Sequence, residues 1–196
     1  MDSTLTLVNP TSPTQYYFSA SSLKNTSIFV KPSRPVYTVT TALKADKRTE
    51  LKDARTGRTI AIWERREFLP DTIAFPDRDN GSTAHVNKWL DKTKLSDGYP
   101  VHVMQTAHGS LVWKSNAEYR LGLYPNDNLD QPLAYYQLNI PGENPALVIE
   151  SAGEQIRDDI IASFLILEQR LRMLDKNINV GGGKLEQNRT VFGHYV

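Results

Sequence analysis

Residues 156–172 read IRDDIIASFLILEQRLR. The middle of this stretch, 160–167, is apolar on every side except at Ser163, while both flanks are charged. A helix lying on a protein surface shows an apolar stripe and a polar face. A helix apolar all round has to be surrounded by other apolar material. Burying seven such side chains contributes about 10–15 kcal/mol gross, at about 1.5–3 kcal/mol for each large one. Three surroundings are open: a membrane, a partner's groove, or the chain's own core. As a helix, residues 160–167 rise only about 12 Å, at about 1.5 Å per residue. A membrane span needs roughly 20 apolar residues, so the remaining sequence decides between partner and core.

The flanks specify where the helix begins and ends. Ser151 and Glu154 form S-x-x-E, the spacing of a capping box. Glu154, Asp158 and Asp159 crowd the expected N-terminal turns, and Arg170, Arg172 and Lys176 the C-terminal ones. Both placements oppose the helix macrodipole favourably. Asn177 and the glycines at 181–183 are stop signals. The expectation is one helix over residues 153–175.

Nearly everything before it reads as short strands. TSIFV (26–30) and PVYTVTT (35–41) are β-branched and aromatic. Residues 48–64 read as a hairpin with arms 49–53 and 58–64, turning at Gly57, which supplies positive φ at least cost. DTIAF (71–75) lies between Pro70 and Pro76, and AHVNKWL (84–90) suits a strand edge or one helical turn. Residues 101–114 form a second hairpin candidate, turning near His108 and Gly109. EYRLGLY, PLAYYQL and PALVIE follow, separated by PNDNLDQ and IPGENP. Roughly ten strands at close spacing describe an all-β barrel or sandwich. The apolar helix is therefore expected inside the sheet.

Three segments carry a resemblance. SSLKNTSIFV, TAHGSLVWKSNAEYRLGLY and IRDDIIASFLILEQRLRM resemble, in turn, the opening turn and strand, the Gly-x-x-x-Trp-Lys hairpin and the final helix of an uncharacterised domain-of-unknown-function family abundant in mushroom-forming fungi. That family resembles the tubby C-terminal-like superfamily, with the phospholipid scramblases and the LURP-one-related proteins. The resemblance implies a mainly β fold: a closed antiparallel β-barrel of roughly ten to twelve strands around one buried C-terminal helix. It spans about residues 15–176, with residues 1–14 as an N-terminal extension and 177–196 as a flexible tail. It brings no catalytic residues. Tubby domains bind phosphoinositides, so it also implies proximity to anionic lipid.

Other motifs point to little chemistry. VGGGK (180–184) lacks the first glycine and the Ser/Thr of a phosphate loop, and reads as a connector. His85, His102, His108 and His194 show no metal-ligand spacing. Asp77 and Asp79 in DRDNG lack the EF-hand register. Trp63, Trp89, Trp113, Tyr135 and Tyr136 are expected to fill the barrel. No cysteine is present, which leaves no disulfide framework and no thiolate metal site. No cofactor or metal is expected, and nothing indicates nucleic acid.

Charge is distributed unevenly. Residues 1–66 hold 11 Lys and Arg against 5 Asp and Glu, a net of +6; residues 67–196 hold 12 against 17, a net of −5. A basic region attracts anions. Lys44, Lys47, Arg48, Arg55, Arg58, Arg65 and Arg66 are the candidate anion or headgroup residues. The expected function is non-enzymatic binding or scaffolding, with anionic phospholipid or an acidic protein as the partner. A regulatory protein-interaction domain and a small-ligand enzyme with its site at the barrel mouth are the alternatives. The start, MDSTLTLVNP, lacks the basic and apolar runs of a signal peptide. The expected location is cytoplasmic, peripheral to membranes.

Overall fold

The computed structural model describes residues 12–30, 34–42, 47–107, 109–138 and 145–180. The first run of strands is β1 Thr14–Phe18, β2 Thr26–Phe29, β3 Pro35–Thr41, β4 Arg48–Asp53, β5 Thr59–Glu64, β6 Thr72–Ala74 and β7 Thr83–His85. One helical turn, α1 Val86–Trp89, leads into β8 Leu90–Lys94, β9 Pro100–Thr106, β10 Gly109–Lys114, β11 Gly122–Pro125, β12 Ala134–Gln137 and β13 Ala146–Ile149. The long helix α2, Arg157–Val180, closes the series.

All thirteen strands belong to one sheet, ordered β7-β6-β5-β4-β3-β2-β1-β13-β12-β11-β10-β9-β8. Every pairing is antiparallel. Each strand pairs with its sequence neighbour, with two exceptions. The first and last strands, β1 and β13, lie side by side, while the consecutive strands β7 and β8 are the two edges. The ladder is therefore open, not the closed barrel expected, and has thirteen strands rather than ten to twelve. The physical reason lies in α1. Its turn takes up the chain between the two edges, and Val86 within it and Leu90 just after it are buried in the core. AHVNKWL is thus strand and helical turn in succession.

Twelve of the strands, all but β7, send side chains into a single apolar cluster with α2. Residues 160–167 of α2 are all buried, more than two turns with no exposed face. Phe164 lies 5.7 Å from the ring of Phe18 on β1, 4.7 Å from Tyr136 on β12 and 6.4 Å from Trp113 on β10. The lone hydroxyl of that stretch is satisfied: Trp113 Nε1 donates to Ser163 Oγ at 2.9 Å, and Ser163 Oγ donates to the Asp159 carbonyl at 2.7 Å. The sheet surrounds the helix because nothing less would cover all its faces. Trp63 and Tyr136 share this core, as their sequence context suggests.

The helix ends depart from expectation. A 3-10 turn, Ser151–Ile156, precedes α2, and no side chain caps it. Glu154 does not complete a capping box, because its carboxylate accepts the Tyr16 hydroxyl at 3.0 and 3.2 Å. At the other end α2 continues to Val180, so Arg170 and Arg172 sit inside the helix and pair with carboxylates instead of its terminal carbonyls. Residues 1–11 of the expected extension and 181–196 of the expected tail lie outside the described residues, as do His108 and His194.

Candidate functional site

The hairpin β4–β5 carries most of the basic residues singled out above, and its register sorts them. Arg48 is opposite Glu64 at one end, and Lys52 is opposite Thr59 near the other. At about 3.3 Å per residue the two ends lie about 17 Å apart. Lys47, Arg48, Arg65 and Arg66 gather at the first end; Arg55 and Arg58 flank the turn at the second. Lys44 lies outside the described residues. One patch in the sequence is two ends in space.

The turn end is ordered by its own chemistry. Asp53 Oδ1 accepts the N–H of Arg55 at 3.0 Å, the N–H of Thr56 at 2.7 Å and the Thr56 hydroxyl at 2.9 Å. The Thr56 bonds, with those of Arg55, hold the Asp53 carboxyl below its usual range. Gly57 has φ +72, the conformation that side chains other than glycine rarely adopt. Arg58 pairs with Asp77 at 2.7 Å, which gives a carboxylate of the DRDNG loop a structural role.

The first end is built differently. Arg65 N–H donates to the Lys47 carbonyl at 2.7 Å, which extends the β4–β5 ladder by one step. The loop 65–71 then leaves the sheet and returns to β6. Asp71 ties its base: Oδ1 accepts the Arg66 N–H at 3.2 Å, Oδ2 accepts Arg170 of α2 at 3.0 Å, and its carbonyl accepts the Val86 N–H at 2.8 Å. The loop is thereby anchored to both helices. Its tip is the opposite. Phe68 is 96% exposed and Leu69 61% exposed. A shallow depression of about 300 Å³ lies here, lined by Lys47, Arg65, Arg66, Glu67, Phe68 and Leu69 among others.

Carboxylates temper the charge. Lys47 pairs with Glu67 at 3.2 Å; Arg48 pairs with Glu50 at 3.0 Å and Glu64 at 3.2 Å; Arg66 approaches Glu64 at 3.9 Å. Glu50 also takes Lys52 at 2.8 Å, and this contact, with Arg48, holds its carboxyl below the usual range. Arg48 is thus engaged within the sheet surface. Lys47, Arg65 and Arg66 are the cations that border the exposed tip.

Elsewhere the ionisable groups position α2. Arg78 holds Asp159 with both carboxylate oxygens, at 2.6 and 2.8 Å. Tyr37 donates to Asp158 at 2.5 Å, and burial followed by that bond pushes the Tyr37 hydroxyl well above its ordinary range. Glu168, 1% exposed, receives Arg120 at 2.9 Å and Arg172 at 2.8 Å. Arg120 reaches on to Asp175 at 2.6 Å. His102 on β9 is held down at about 4, by burial first and then by Arg170 and Lys92. Among the described residues no group of three or more His, Cys, Asp or Glu converges as a metal site.

Sequence reasoning found the basic residues and missed the tip. Phe68 and Leu69 stand between Glu67 and Pro70, an apolar pair in a polar turn, and that interruption was the available signal.

The model of a family of unknown function (DUF6593) matches residues 21–173. No curated protein and no solved structure matches the chain.

Proposed function

The chain belongs to the DUF6593 family, and from that premise we propose that it is a non-enzymatic binding domain whose β4–β5–β6 end engages anionic phospholipid headgroups. The observation that carries this reading is the placement of Lys47, Arg65 and Arg66 around an exposed apolar tip. Each basic residue near an anionic membrane contributes up to about 1 kcal/mol, screened within a Debye length of about 10 Å at 0.1 M salt. Glu64 and Glu67 offset part of that attraction, so the electrostatic part of the contact is modest and reversible. Within the same reading the fold is tubby-like: one antiparallel sheet around a C-terminal helix supports it, with the open edge at β7 and β8 as the departure. Among the described residues no helix is long and apolar enough to cross a membrane.

Vesicle flotation tests this. Wild type should float with phosphatidylserine-containing vesicles at low salt and less so at high salt. Lys47→Glu with Arg66→Glu should lose most of that binding, and Arg55→Glu with Arg58→Glu, at the other end of the hairpin, should keep it. No flotation of folded wild type at low salt would end the lipid reading. Loss confined to the Arg55 and Arg58 variant would move the site to the turn.

A further inference from the structure

We infer that Phe68 and Leu69 form a wedge that enters the acyl layer of an anionic bilayer while Lys47, Arg65 and Arg66 rest among its headgroups. This deepens the reading above and rests on it, adding an apolar half to a contact so far described by charge alone.

Three observations carry it. The first is shape. Phe68 is 96% exposed, so almost none of its ring is covered by this chain, and Leu69 beside it is 61% exposed. Single exposed apolar residues are ordinary on a protein surface; two adjacent ones at the tip of one loop are not scattered. A projecting pair suits a fluid layer, which yields to it without a matching pocket. The second is preorganisation. Asp71 fixes the base of the loop to the backbone of Arg66, to Arg170 of α2 and to the N–H of Val86, so the tip is presented from an anchored base. The third is charge complementarity. Lys47, Arg65 and Arg66 border the tip, where anionic headgroups would lie once it entered. Basic residues beside an apolar anchor are the two signals that together make peripheral binding stable.

Glu67 sets the depth. Its carboxylate pairs with Lys47 at 3.2 Å and is costly to bring into hydrocarbon, so penetration stops at Phe68 and Leu69.

The chain has no cysteine, so Leu69→Cys accepts a single environment-sensitive NBD label. On vesicles of phosphatidylcholine with phosphatidylserine, its emission should shift to the blue and rise. The same label at Thr56→Cys, at the far end of the hairpin, should not respond. Phe68→Ser should keep the wild-type melting temperature, since the ring is exposed, and lower the vesicle partition coefficient by about ten- to hundredfold, the factor for one large apolar side chain. Wild type should retain some binding at high salt that Phe68→Ser lacks, because salt screens charge and not apolar insertion. If no protein binds any anionic vesicle, both this inference and the reading beneath it fall. If wild type binds but the Leu69 label stays unshifted and Phe68→Ser binds equally, the wedge alone falls. If light scattering finds a wild-type dimer that Phe68→Ser abolishes while vesicle binding is unchanged, the tip is a contact between copies and the wedge is overturned.

Discussion

Glu168 is a carboxylate inside an apolar helix, and it is tolerated because two arginines reach it. Arg120 comes from the segment before β11, and Arg172 lies one turn along α2. Removing one partner of a buried ion pair leaves charge without compensation. Arg120→Ala should therefore cost about 2–3 kcal/mol in urea denaturation, less than a full unpairing because Arg172 remains. In a Glu168→Gln background the same change should cost at least about 1 kcal/mol less; equal costs would show that Arg120 acts through Asp175 and packing and not through Glu168. His102 gives a pH dependence. Its folded value of about 4 lies below the ordinary value of about 6.5. Between those values the unfolded chain binds the proton and the folded chain does not. Stability is then full above pH 6.5 and falls as pH drops from 6.5 towards 4, on the order of 3 kcal/mol in all. His102→Gln should flatten that interval, measured as stability against pH; an unchanged slope would contradict the assignment. The pairings between α2 and the sheet were not legible in the sequence. Arg120 and Glu168 are 48 residues apart and Arg78 and Asp159 are 81 apart, and only the packing of the sheet against α2 brings them together.

The helix α2 is the element the sequence described best, because eight consecutive positions with one hydroxyl admit only a surrounded helix. Leu165→Asp should abolish the cooperative unfolding transition, since it places a charge at a fully buried position of the apolar cluster, whereas Asp159 and Glu168 are met by arginines. A variant that kept its fold and melting temperature would put the helix outside the core. The entry to α2 was misread. S-x-x-E signals a cap only when Glu154 is free to fold back, and Tyr16, far away in sequence, takes it first. What fixes the entry instead is Gly153. A Cβ there would meet Ile149 Cγ2 and the Leu133 carbonyl at 3.0 Å and Ile160 Cδ1 at 3.2 Å. Gly153→Ala should destabilise by about 1–3 kcal/mol through overpacking, read from the urea midpoint; a neutral result would mean β13 and α2 can move apart. Two strands escaped the sequence reading for opposite reasons. β1, TQYYF, sits among Ser, Thr and Pro that read as loop. β8, LDKTK, is an edge strand exposed after Leu90, so it needs no apolar alternation.

At the scale of the whole molecule, the pairing of β1 with β13 places the first and last described strands side by side and leaves β7 and β8 as edges joined through α1. The density of basic residues before residue 67 was legible as composition; its division between two ends of one hairpin was not, because that depends on the β4–β5 register. The apolar tip was less legible still, since exposure is a property of the loop's anchoring and not of the letters Phe-Leu. On the proposed function, one end of this sheet, and not its other surfaces, meets an anionic membrane. Hydrogen–deuterium exchange of the intact chain, with and without phosphatidylserine vesicles, tests it directly. Added protection is expected at residues 47–48 and 65–70 and none at the 54–58 turn or along α2. Protection centred on the turn, on β8, or absent everywhere would contradict it.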